Sequence, residues 1–126
     1  MSESKIFTDC FKHASQGVKL GWQERNMKIH VTMAGLVIVS GLIMGLDKFS
    51  WFIILILIGS VISAELFNTA IEDLANLLRD EERLGYKTTK QARDLAAGAV
   101  FVMSIVAAII GSIIFLTRLF QLLGLS

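Results

Sequence analysis

Glu65, Asn68 and Glu72 are polar side chains set into a stretch that is otherwise mostly apolar, from Ile62 to Asp73. If that stretch is helical, the i, i+3, i+7 spacing places all three within an arc of about 60°. Along the axis Glu65 and Glu72 stand about 10 Å apart. A charge inside a membrane helix is expensive and by default marks function. The deeper carboxylate suits a general base acting on a hydroxyl that never leaves the bilayer. Glu72 and Asn68, nearer water, suit a hard cation with oxygen ligands. Mg²⁺ keeps several waters and bridges one or two carboxylates to nucleotide phosphates. A base near lipid and a metal near water describe phosphoryl transfer to a membrane alcohol, in which positioning and charge neutralisation dominate catalysis. Taken singly, the residues have other readings. Glu72 and Asp73 suit solvated helix-end carboxylates, Asn68 suits a hydrogen bond between helices, and Glu65 suits a proton relay in a small transporter.

The elements that must hold these residues follow from hydropathy. Of the 126 residues, 54% are hydrophobic and none is proline, and the mean hydropathy is +0.65. A water-soluble domain of this size would bury too little surface to hide so much apolar side chain. Three apolar runs, 29–46, 49–71 and 95–117, each reach the roughly 17–25 residues that span a bilayer as helix. Helix is required there because an open strand leaves backbone groups unpaired in lipid. The Asp47-Lys48 turn makes the first two runs an antiparallel hairpin. Ahead of them, about 4–24, Phe7, Phe11, Ala14, Val18 and Trp22 recur at helical spacing. This predicts an amphipathic helix along the membrane interface, weakened by Gly17 and Gly21. The fold class is therefore an all-α membrane protein of one domain: an interfacial helix, three transmembrane helices, and a loop over 73–94. No secretory signal peptide is read at the N-terminus, and one cysteine, Cys10, excludes an internal disulfide.

Basic residues set the expected orientation. Lys5, Lys12, Lys19, Arg25 and Lys28 precede the first run, and Arg79, Arg83, Lys87, Lys90 and Arg93 join the second to the third. Only Lys48 and Arg118 lie at the opposite ends. The positive-inside rule places the N-terminus and the 73–94 loop in the cytoplasm of a cell (inner or plasma) membrane, with the C-terminus outside. Arg93 at the cytoplasmic mouth suits either a nucleotide phosphate or a topology anchor. Glu24, at the start of the first run, suits either a further metal ligand or a solvated position. His13 and His30 lack metal-ligand spacing and read as interfacial, and Trp22, Trp51 and Tyr86 read as boundary anchors. Gly41 and Gly45 form a small-xxx-small pair, and 79–83 reads as a solvated helical extension with local ion pairs. No Gly-rich phosphate loop and no protein-kinase motif set is present, and no nucleic-acid partner is expected.

The stretch from Glu65 to Glu72, with Arg93-Asp94 and the small residues after it, resembles the bacterial diacylglycerol kinase/undecaprenol kinase family. The segment from Glu24 to His30 is similar to that of its Gram-positive branch. The resemblance covers the chain from about Phe11 into the third span. It implies a homotrimeric ATP-dependent lipid kinase with active sites between subunits. Glu65 would be the general base, Glu24 and Glu72 would hold Mg²⁺ at the nucleotide with Asn68 nearby, and Arg93 and Asp94 would bind ATP. The Gram-positive branch implies undecaprenol as the acceptor, with diacylglycerol the second candidate. A small proton-coupled transporter and a non-catalytic membrane scaffold are the rival classes. Two departures bear on the nucleotide: the family usually has lysine where Arg93 stands, and its usual loop is shorter, with a Tyr-His pair that is lacking here.

Overall fold

A computed structural model describes residues 3–81, 83 and 85–125, with Glu3 and Ser4 described in their backbone alone. The described residues form four helices and no strand: α1 (Glu3–Gly21), α2 (Arg25–Met44), α3 (Lys48–Asp80) and α4 (Tyr86–Leu122). The last three are long and apolar enough to cross a membrane.

The α2–α3 turn is closed by local chemistry at both ends. Gly45, at φ 64°, adopts the left-handed conformation that ends helices most cheaply when no Cβ is present. The Gly45 N–H donates to the Leu42 carbonyl and the Leu46 N–H to that of Gly41. The Arg118 Nε of α4 donates to the Met44 carbonyl at 2.9 Å, so the end of α2 is also held from across the bundle. Asp47 then caps α3, its Oδ1 accepting from the N–H groups of Phe49 and Ser50 and its Oδ2 from the Ser50 hydroxyl. The Ser50 hydroxyl, with the backbone N–H groups, holds the Asp47 carboxyl below its ordinary value. Gly41 and Gly45 thus serve the turn: a Cβ at Gly41 would lie 3.0 Å from both Leu46 Cδ1 and Trp51 Cη2.

Segment 73–94, expected as a loop, is helical over 73–80 and 86–94. Neither of those stretches holds a proline or a glycine to break a helix, and Gly85 stands just ahead of α4. Its polar residues solvate helix ends that outrun the bilayer. At about 1.5 Å per residue, α3 is about 50 Å long and α4 about 55 Å, against about 30 Å of hydrocarbon. The 79–83 stretch divides at Asp80, where α3 ends, with Arg79 Nε 2.8 Å from Asp80 Oδ1. Glu82 lies outside the described residues.

The seam between α3 and α4 positions the site. On α3 the buried residues are Ile54, Val61, Glu65, Asn68 and Ala75. Their spacings follow the alternation of three and four that keeps one stripe against a partner helix. On α4 the buried residues are Thr89, Ala96 and Val100. Alanine at Ala75 and Ala96 lets the two backbones approach, as small residues do in membrane bundles. Most other large apolar side chains are exposed, among them Leu36, Ile43, Ile56, Phe101 and Ile113, as lipid requires.

Candidate active site

Glu65 and Asn68 occupy seam positions that hydrophobic residues fill elsewhere, and they are only 2% and 3% exposed. Asn68 Nδ2 donates to Glu72 Oε1 at 3.3 Å, one helical turn on. Periodicity placed these three side chains together, and the structure keeps them so. They line a cavity of about 270 Å³ with Asn26 and His30 of α2 and Ala97, Val100, Phe101 and Ser104 of α4. The helix α3 starts at the turn, so Glu65 lies about 26 Å along it and Glu72 about 36 Å. Against a hydrocarbon core of about 30 Å, Glu65 lies just inside the apolar layer and Glu72 just beyond it.

His30, expected at the interface with no partner, instead faces the buried carboxylate: its Nε2 is 3.6 Å from Glu65 Oε2. The sequence signal was available, since His30 lies one turn beyond Asn26 on α2, but nothing in α2 alone says which face meets α3. Next to the polar cavity runs an apolar groove of about 320 Å³ between α2, α3 and α4, lined by Met33, Val37, Leu57, Ile58 and Val61 among others. His30 and Ser104 line both spaces.

The remaining expected site residues lie elsewhere. Arg93 is half-buried above the cavity: its Nη2 donates to Asn76 Oδ1 at 3.0 Å and its Nε to Thr89 Oγ1 at 3.4 Å. Its guanidinium also lies 5.5 Å from the centre of the Tyr86 ring, so Tyr86, expected as a boundary anchor, contacts a cation. Asp94 is exposed and paired with Lys90. Glu24 caps α2 through its backbone alone, is exposed, and does not line the cavity. Among the described residues, no cluster of three or more acidic, histidine or cysteine side chains forms a ready metal site. The donors that fit Mg²⁺ are the Glu72 carboxylate and Asn68 Oδ1, a buried oxygen with no hydrogen-bond partner. Two protein oxygens suffice for a cation that takes its other ligands from phosphate and water.

A buried carboxylate in a polar cavity that shares His30 and Ser104 with an apolar groove, among helices long and apolar enough to cross a membrane, suits chemistry on a lipid. The comparisons make the class specific. Residues 12–115 match the prokaryotic diacylglycerol kinase family, and the chain belongs to it: a multi-pass membrane protein and a lipid kinase. It is 38% identical over 122 residues to the undecaprenol kinase of Bacillus subtilis, with 94% of each chain covered. It is 30% identical over 114 residues to a diacylglycerol kinase of a Synechocystis species, covering 90% of this chain and 64% of that one. No solved structure matches.

Proposed function

We propose that the protein transfers the γ-phosphoryl group of ATP to the hydroxyl of undecaprenol, giving undecaprenyl phosphate and ADP, with diacylglycerol a poorer acceptor. The observation that carries this reading is the buried Glu65 carboxylate in a polar cavity that shares His30 and Ser104 with a neighbouring apolar groove. The Bacillus relative's substrate supports undecaprenol.

Glu65 takes the hydroxyl proton as the alcohol oxygen attacks phosphorus and the bond to the ADP oxygen breaks. His30, on the other side of the carboxylate, fixes its orientation. Glu72 and Asn68 would hold Mg²⁺, which when bound would offset phosphate charge. Arg93, oriented by Asn76, Thr89 and Tyr86, holds the nucleotide phosphates, and Asp94 lies beside it. In the chain alone, Glu24 stands outside the cavity. We therefore place its contribution to metal and nucleotide in a homotrimer, at a site where a second subunit supplies it. ATP enters from the cytoplasm, where the N-terminus and the α3–α4 connection lie, and the lipid enters sideways from the bilayer.

The test is phosphate transfer from Mg-ATP by purified protein in lipid micelles, with undecaprenol and diacylglycerol offered separately. Undecaprenol should be phosphorylated faster, and Glu65→Gln should lower kcat by about 100- to 10,000-fold, the range for loss of a general base. Faster transfer to diacylglycerol would change the substrate and keep the mechanism. No transfer from folded protein would overturn the assignment in favour of a transporter or scaffold.

A further inference from the structure

Two buried side-chain polar atoms among the described residues lack a hydrogen-bond partner, Asn68 Oδ1 and Ser104 Oγ. Both residues line the cavity that contains Glu65. Asn68 Oδ1 is accounted for by the metal role proposed above; Ser104 is not. A serine in a membrane helix has an easy way to satisfy itself, by donating back to the carbonyl three or four residues earlier. Elsewhere in this chain that option is taken: Ser15 donates to Lys12, Thr32 to Lys28 and Thr89 to Tyr86. Ser104 makes no such bond, and its hydroxyl stays unpaired in an apolar layer, where an unmet polar group is costly.

Its depth is informative as well. The Arg93–Asn76 hydrogen bond ties α4 to α3 at one level. From Asn76 back to Glu65 is 11 residues, and from Arg93 on to Ser104 is also 11. The two helices are antiparallel, so both side chains lie about 16 Å below that bond. Ser104 therefore stands level with Glu65, at the junction where the polar cavity meets the apolar groove.

We infer that Ser104 is the hydrogen-bond donor that positions the acceptor alcohol, a long-chain lipid with a primary hydroxyl. This rests on the kinase reading above. A hydroxyl has one proton to give and lone pairs to receive with. The substrate donates its proton to Glu65 and accepts from Ser104 Oγ, which leaves its other lone pair free to meet phosphorus. The hydrocarbon chain leaves past Ser104 and His30 into the groove. Ser104 itself exchanges no proton with the reacting atoms.

Kinetics in micelles with undecaprenol and Mg-ATP provide the test. Ser104→Ala should raise KM for the lipid about three- to tenfold, the value of one hydrogen bond. KM for ATP should be unchanged and the melting temperature should not fall, since the lost hydroxyl is unpaired without substrate, and Ser104→Thr, which restores a hydroxyl, should recover the lipid KM. An unchanged lipid KM in Ser104→Ala, or equal rises in both KM values, would overturn the assignment. Binding checks it without turnover. A photoreactive long-chain primary alcohol should label wild type more strongly than Ser104→Ala, while an alkane probe of equal length should label both alike. If wild type transfers no phosphate, the kinase reading fails, and this labelling difference still decides the role of Ser104. Equal labelling by the alcohol would remove it.

Discussion

Arg93 stands where the family resemblance implies a lysine, and its surroundings suit a guanidinium. A guanidinium is a rigid fork, so it can be aimed by neighbours in a way that an ammonium cannot. Here Asn76 and Thr89 take its Nη2 and Nε while Tyr86 lies under its plane. If those neighbours aim the fork at phosphate, Asn76→Ala should raise KM for ATP about threefold, the loss of one modest hydrogen bond. The same change in an Arg93→Lys background should do nothing further, because the shorter lysine no longer uses Asn76. Equal effects in both backgrounds would show that Asn76 acts independently of the arginine. At this scale the sequence was informative within one helix and silent between helices. Glu65, Asn68 and Glu72 could be grouped because 3.6-residue periodicity alone fixes their shared face. His30 and Ser104 join them from α2 and α4, and their arrival depends on interhelical register, which no local pattern encodes. Glu24 shows the converse: nearness in depth to Glu72 was readable, and exclusion from the cavity was not.

Among the elements, α1 is the one attached most lightly, and its attachment falls beside the carboxylate. Gly21 is buried against α3, and a Cβ placed there would come within 2.3 Å of Leu66 Cδ2, whereas one at Gly17 would meet nothing within 4 Å. Leu66 follows Glu65 directly. Leucine at either glycine should favour the helix similarly, so the two positions form a controlled pair. Gly21→Leu is expected to lift α1 from α3 and lower kcat severalfold, while Gly17→Leu leaves it unchanged; equal rates would detach α1 from any effect on the site. The number of helices and the hairpin were legible from three apolar runs and one polar turn. The helical nature of 73–94 was not, because a helix outrunning the bilayer carries the same polar residues as a loop.

For the molecule as a whole, the proposed orientation is open to a direct test. The single Cys10 lies exposed on α1 and offers a natural reporter. A membrane-impermeant maleimide should leave it unlabelled in intact cells and label it in inside-out vesicles; labelling from outside would invert the proposed topology. At the opposite end of the bundle, Arg118 has a consequence for biogenesis. The Met44 carbonyl it binds belongs to the first span, and donor and acceptor are 74 residues apart in the chain. During synthesis the opening hairpin must therefore enter the membrane with that carbonyl left to water. It gains its protein partner only when the last span has been translated and threaded through. The final helix to emerge completes the first, so the order in which the ribosome delivers the spans becomes the order in which the bundle is locked.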